Sequence, residues 1–518
     1  MKKILMRAMS LMLILLMLVP AVAACKKDGA KDDESESVSS DVVESGNESE
    51  SEKSKYDVED DLGDIDLGGR RVTIAQTGMD DYKNEIIIER LTGDVVNDAV
   101  YKRNAKVENR LNFDLQSVSI GNGVYSVLND LETNILSGGV QYDIVMNPSY
   151  AACAYTTRGL YRDLNKIDNL DLDKVYWSPY LNDAYEIGGV QYVASGAISL
   201  SFFKFVFITM VNDNILSQNT GEVPDLVEVV KDGKWTIEYQ KNLTKTYYTD
   251  MGAPGKDSED IFGFVSTTSI SVDPYVSSGE ITFLEKSTDG FYSWAFDFTK
   301  ASNVMDDIIE LFSLESSYRE PTDSMENVVD MFASGHALMA TMRFYELESA
   351  SIRNMKDEYT VLPIPRYSED QDGYYSLISD RFTGVVVPAS VRDDDVENIG
   401  AVLEALASES YRTVAPAYYE TALKVRYVDD ANAWEMMDMI IESVKMDAVL
   451  PYTAALELSD ETRNTVIKLW RWTIYKAYTD SASIMGSTFN DNVGTKINDK
   501  LNGKDGLQTY IKNQLAKQ

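Results

Sequence analysis

Between Arg70 and Pro148 the hydrophobic period switches repeatedly between two and 3.6, and that alternation restricts the fold more than any other feature. "RVTIAQ" at 71–76 reads as a strand. Val96, Ala99, Val100, Val107 and Leu111 then follow helical spacing behind Asp94, whose carboxylate is suited to cap a helix. "FDLQSV" at 113–118 alternates as a strand, and Val124, Leu128, Leu131 and Ile135 give a second helix closed by Gly138-Gly139. "YDIVM" at 142–146 is a third strand. Parallel strands need a crossover long enough to hold a helix, so this order predicts an α/β layer with a parallel sheet. The chain has 518 residues, more than one typical core accommodates, and two lobes are expected.

The later chain is less regular. Phe202 to Val211 is an apolar run read as a core strand, and "GKWT" at 233–236 reads as a turn into a helix capped by Thr236. "DIFGFV" at 260–265 follows, then an amphipathic helix near Met325–Ala333. "EYTVLPIP" at 358–365 and "FTGVVVPAS" at 382–390 read as extended. From Val396 the tail is mostly helical, with interruptions at Pro416 and Pro451. There is no short internal repeat.

The N-terminus is of a different kind. Lys2, Lys3 and Arg7 precede an apolar run from Leu11 to Val19, and the small residues Val22-Ala23-Ala24 lead to Cys25. This is the layout of a signal peptide over 1–24. The cysteine placed there resembles the bacterial lipobox, which implies cleavage before Cys25 and a lipid on its sulfur. Residues 26–66 hold 16 acidic and 5 basic residues among serines and glycines, a composition that cannot repay the entropy of folding. Residues 25–66 are therefore expected to be a lipidated cysteine and a disordered, extended acidic tether. With Cys25 acylated, Cys153 has no disulfide partner and reads as a small buried hydrophobe. An exported chain without disulfides points to a Gram-positive surface.

Charge and residue usage narrow the chemistry. A formal net charge of −36 repels nucleic acid and anionic membrane surfaces. The one histidine, His336, lies in "FASGHALMA" between a helix and a strand, where a turn role outweighs catalysis. Histidine and cysteine are too few for a zinc site, and no glycine-rich phosphate motif is present, so neither metal nor cofactor is expected. Carboxylate-only hydrolysis or elimination of glycosidic bonds survives this test, because it needs only two acids. The 31 tyrosines and 6 tryptophans supply aromatic faces that stack on sugar rings.

Several segments, in order, resemble the extracellular solute-binding lipoproteins of ABC importers, in particular the carbohydrate-type group. They are "YDIVMNPSYAACAYTTRGLYRDLN" at 142–165, "GKWT" at 233–236, "FASGHALMA" at 332–340, "YTVLPIPRY" at 359–367 and "FTGVVVPAS" at 382–390. The resemblance implies an α/β fold of two lobes, a type II periplasmic-binding-protein-like clamp, each lobe a mainly parallel sheet flanked by helices. The first lobe would span 67–207 plus 389–440 and the second 208–388 plus 441–518. The implied activity is capture of a sugar or oligosaccharide by lobe closure, without bond chemistry, and delivery to an ABC permease, by a monomer held at the membrane through its lipid. By position in that family's pattern, Asn147, Ser149 and Tyr150 follow the third strand, Ser199 lies near the hinge, and Arg343, Tyr345, Asp380 and Arg381 face the cleft from the second lobe. Trp177 and Trp294 are candidate stacking platforms. The competing readings are a surface glycoside hydrolase or lyase, and a glycan-binding sensor or adhesin without a transporter. Cys25→Ser is expected to release the protein into the medium or leave it unprocessed; membrane retention of a cleaved Cys25→Ser chain would contradict the anchor.

Overall fold

In a computed structural model of the protein the described residues are 55–139, 141–219, 223–252, 255–268, 270–423, 431–452 and 487–517. The expected signal peptide, the lipidation site Cys25 and the acidic tract up to residue 54 lie outside them. Strands among the described residues are, in chain order, β1 Arg70–Thr77, β2 Phe113–Ile120, β3 Ile144–Pro148, β4 Phe207–Asn212, β5 Tyr248–Thr249, β6 Ile261–Ser266, β7 Leu284–Lys286, β8 Tyr292–Trp294, β9 Ser317–Arg319, β10 Ala337–Arg343, β11 Tyr359–Leu362 and β12 Thr383–Val386.

The first sheet has the order β12-β3-β1-β2. β1 lies parallel to β2 and β3, with Val72 beside Leu115 and Ala75 beside Val145. The crossovers are the helices Val95–Leu111 and Ser126–Leu136. The Asp94 carboxylate accepts from the Asn97 amide at 2.9 Å, as its place before the helix predicts. β12 joins from far along the chain, antiparallel to β3 with Val385 opposite Met146.

The second sheet has the order β11-β4-β10-β6-β5, with β9 also on β6. β6 runs parallel to β10 and β9, but β4 is antiparallel to both β10 and β11. This sheet is mixed where a mainly parallel one was expected. The reason is geometric: β4 leaves the junction between the sheets, while β10 and β11 run back toward it. The Phe344 amide, just past β10, donates to the Val206 carbonyl at 3.1 Å.

Among the described residues two passages, β3 to β4 and β11 to β12, connect the sheets, and they are bonded to each other. The Phe207 amide donates to Leu377 O and the Ser379 amide to Phe205 O, each at 3.0 Å. Beside them lies Glu85, only 4% exposed, from the loop after β1. Its Oε1 accepts from Ser199 Oγ at 2.5 Å, Ser201 Oγ at 2.6 Å and the Ser201 amide at 2.9 Å. Its Oε2 accepts from Thr383 Oγ1 at 2.7 Å. One carboxylate therefore holds both the outgoing and the returning chain.

Several expectations need correction. The run Phe202–Val211 is not one strand: Leu200–Lys204 is a short helix and β4 begins at Phe207. Glu85 accepts the Ser201 amide in that helix's first turn, and an apolar run of this length does not distinguish helix from strand. Pro416 and Pro451 do not interrupt helices. A π-helical turn, Ser410–Val414, leads directly into Ala415–Leu423 and accommodates the proline that cannot donate, and Pro451 lies in the first turn of Val449–Tyr452, where its N–H is not needed. The returning chain is in the first sheet by Thr383, ahead of the 388/389 boundary. Helix Ala431–Glu442, placed with the first lobe, is tied to the second: Lys231 from helix Leu226–Lys231 pairs with Glu435 at 2.8 Å. Helix Leu507–Leu515, placed with the second lobe, reaches both: Gln508 exchanges two hydrogen bonds with the Tyr292 backbone of β8, and the helix also packs on the first-lobe turn Thr156–Arg158.

The acidic segment is also ordered earlier than expected. From residue 55 onward it lies along the body, because its carboxylates meet cations there. Arg110 grips Asp60 with two bonds of 2.6 Å, Arg412 pairs with Asp57 at 3.0 Å, and Lys174 pairs with Asp61. Ser408 Oγ donates to Val58 O at 3.0 Å. Only the part up to residue 54 keeps the expected tether character, as an expectation.

Removing the shared acceptor is the direct test of the joint. Glu85→Ala removes the acceptor of three hydroxyls and leaves the buried Ser201 amide without its partner, and is expected to cost about 3 kcal/mol in urea unfolding. A loss below about 1 kcal/mol would show that the joint does not depend on Glu85.

Candidate functional site

Against the paired passages lies a cavity of about 140 Å3. Its apolar wall is Phe207, Ile270, Leu377, Ile378 and Leu450, and its polar wall is Asp273, Arg343, Ser379, Asp380 and Arg381. Three residues singled out from sequence thus meet at one place: Arg343, Asp380 and Arg381.

Each is positioned by its backbone. Arg343 ends β10 and opens the turn Phe344–Glu348. Its amide donates to Glu346 Oε2 at 2.7 Å, and its guanidinium forks onto the same carboxylate through Nε and Nη2. The guanidinium also lies 5.7 Å from the Phe205 ring centroid and 5.9 Å from that of Tyr345. A cation fixed in this way is a preorganised donor, with Nη1 outside the fork. The peptide at 380–382 is held by the first lobe. Ser149 Oγ donates to Asp380 O at 2.9 Å, Tyr82 Oη to Arg381 O at 2.6 Å, and the Ser149 amide to Phe382 O at 2.8 Å. Gly384 makes this approach possible, since a Cβ there would meet Val193 Cγ1 at 2.8 Å and Ser149 Cα at 3.3 Å.

The other candidates lie elsewhere. Ser149 is buried and acts on the chain behind the cavity. Asn147 is buried in β3, where its Nδ2 donates to Val124 O at 2.8 Å. Tyr150 packs edge-on to Tyr125, with centroids 6.5 Å apart. Ser199 belongs to the Glu85 joint on the outgoing chain. Tyr345 is 38% exposed and packs on Phe205 at 5.8 Å, next to Arg343 but outside the cavity lining. Trp177 is not a stacking platform: it is 0% exposed, and its Nε1 donates to the buried Glu404 at 2.8 Å. Trp294 is in the β7–β8 hairpin, packed on Phe283 and Phe296 with centroids 6.0 and 5.7 Å away. His336 forms the turn between Met325–Ala333 and β10, its amide donating to Met331 O at 2.9 Å. Cys153 is buried, and burial raises its thiol pKa.

Sequence reasoning missed Asp273, Tyr82 and Leu450. Asp273 starts the helix Asp273–Ser278, in a stretch with no readable motif. Leu450 depends on a buried carboxylate. Asp447 accepts from the amides of Phe283 at 2.7 Å, Leu284 at 3.2 Å and Val449 at 2.9 Å, fixing the turn that presents Leu450. Burial pushes the Asp447 carboxyl up to about 6, against those three amide donors.

No protein-family model and no curated protein matches the chain. Solved structures of similar fold do. A cyclo/maltodextrin-binding protein complexed with maltotetraose has a TM-score of 0.50 at 11% identity, covering 86% of this chain and 99% of that one. MalE from Bdellovibrio bacteriovorus bound to maltotriose gives 0.46 at 14% identity, covering 86% and 100%. A family 1 extracellular solute-binding protein from Bifidobacterium longum subsp. infantis gives 0.47 at 14% identity, covering 83% and 99%. The fold is the two-lobed, type II binding-protein architecture.

The Asp447 carboxyl carries a pH prediction. Its folded-state pKa lies above the unfolded value, so the native state holds the extra proton between about pH 4 and 6, and its contribution to stability falls as pH rises through that window. The effect is about 3 kcal/mol at most. Asp447→Asn should remove this component from the pH dependence of Tm; an identical slope in both proteins would contradict it.

Proposed function

We propose that this protein is an extracellular solute receptor that captures a sugar or oligosaccharide between two lobes and delivers it to an ABC permease. The observation that carries the reading is where the cavity lies: against both passages between the sheets, with Arg343 at the end of a second-sheet strand and Asp380–Arg381 on the chain returning to the first. A ligand there touches second-lobe residues and the returning chain whose backbone the first lobe holds, so its binding energy bears on the joint between the lobes.

The lining suits a polyol. Arg343 and Arg381 offer donors to hydroxyl oxygens, Asp273 and Asp380 offer acceptors to hydroxyl protons, and Phe207 with its aliphatic neighbours offers an apolar face to ring C–H groups. The maltotetraose named with the cyclo/maltodextrin-binding protein supports the same ligand class. Cys25 fits the reading as a lipid anchor, with the acidic tract as the spacer that holds a monomeric receptor near its permease on the cell surface. Binding of this kind needs no bond chemistry.

A thermal-shift screen of the full chain against sugars, oligosaccharides and peptides tests the proposal, since a ligand of the native state must raise Tm. At least one saccharide is expected to do so, with affinity falling about 10- to 100-fold in Arg343→Ala and in Asp380→Asn. No response to any saccharide, or release of cleaved product from a glycan, would overturn it.

A further inference from the structure

A second cavity, of about 220 Å3, has a wall unlike that of the first. Tyr176, Phe202, Phe203, Tyr411 and Tyr419 line it together with Tyr56 from the start of the docked acidic segment. The rings form a continuous surface: Tyr56 lies 5.2 Å from Tyr411 and 6.2 Å from Tyr419, and Phe203 lies 5.6 Å from Tyr419. At its edge stand two carboxylates, Asp438 and Glu442. The Lys55 ammonium sits between them, 2.6 Å from Asp438 Oδ2 and 2.9 Å from Glu442 Oε1, and 5.1 Å from the centroid of the Tyr56 ring. Tyr56 Oη donates to Asp438 at 2.6 Å, which fixes that carboxylate beside the rings.

We propose that this cavity binds an alkyl- or arylammonium compound, whose cation displaces the Lys55 ammonium while its apolar body fills the aromatic space. The chain's own lysine already shows the pairing, a cation held by two carboxylates and an aromatic face. Other ligand classes fit poorly. Asp438 and Glu442 repel an anion, and an uncharged ligand that displaced Lys55 would leave both carboxylates without the cation they now hold. Lys55 and Glu442 are substantially exposed, and an ion pair of that kind contributes little, so displacement costs little. The site shares no lining residue with the cavity containing Arg343 and does not rest on the proposed sugar reading.

Titration calorimetry of the full-length chain with phenethylammonium chloride at low salt is the test. Saturable binding is expected, weakened about tenfold by Asp438→Asn and tightened about threefold by Lys55→Gln, which removes the internal competitor. Opposite signs in the two variants separate ligand contact from a general loosening of the segment. Arg343→Ala, in the other cavity, should leave the titration unchanged. Absence of saturable binding, equal affinity in the wild type and Lys55→Gln, or loss on Arg343→Ala would each overturn the proposal.

Discussion

The structure turns on the Glu85 carboxylate. A buried charge costs several kcal/mol unless its lone pairs are met, and here three hydroxyls and an amide meet them. Arg103, buried nearby, adds a cation; its guanidinium donates to Ile86 O at 2.7 Å and Ser410 Oγ at 3.0 Å. Burial lowers the Arg103 pKa to about 10, opposed by the charges of Glu85 and Glu409. Because the donors to Glu85 come from Ser199 and Ser201 on the outgoing chain and Thr383 on the returning one, one group fixes both of these crossings.

That joint explains where a site can form. The passages pair through Phe205–Phe207 and Leu377–Ser379, and the next residues on the returning chain, Asp380 and Arg381, line the cavity. The first lobe holds their backbone through Ser149 and Tyr82, and the second supplies Arg343. The polar groups of the cavity thus stand on regular elements and on a bonded crossing, which is how a fixed constellation is kept in place.

How much of this was legible follows from how local the causes are. The strand–helix alternation over 70–148 and the caps Asp94 and Thr236 are set by neighbours a few residues away, and the expectations for them match the structure. Arg343 was singled out by its place after a strand, and Asp380 and Arg381 by theirs just before the return crossover, rather than by composition. What escaped was decided at long range. Trp177 is buried because Glu404, more than two hundred residues later, takes its Nε1–H. The acidic residues 57–61 are ordered because Arg110, Lys174 and Arg412 face them, which composition alone does not show. The antiparallel character of the second sheet comes from strands that must return to the junction, a property of topology and not of any segment.

The central claim is that the two lobes close on a saccharide at the joint. Small-angle X-ray scattering of the full chain, with and without a saturating oligosaccharide identified by its thermal shift, reads this directly. The account predicts a smaller radius of gyration with ligand, and no such change in Arg343→Ala at the same concentration. Saturable saccharide binding that leaves the scattering of the wild type unchanged would contradict it.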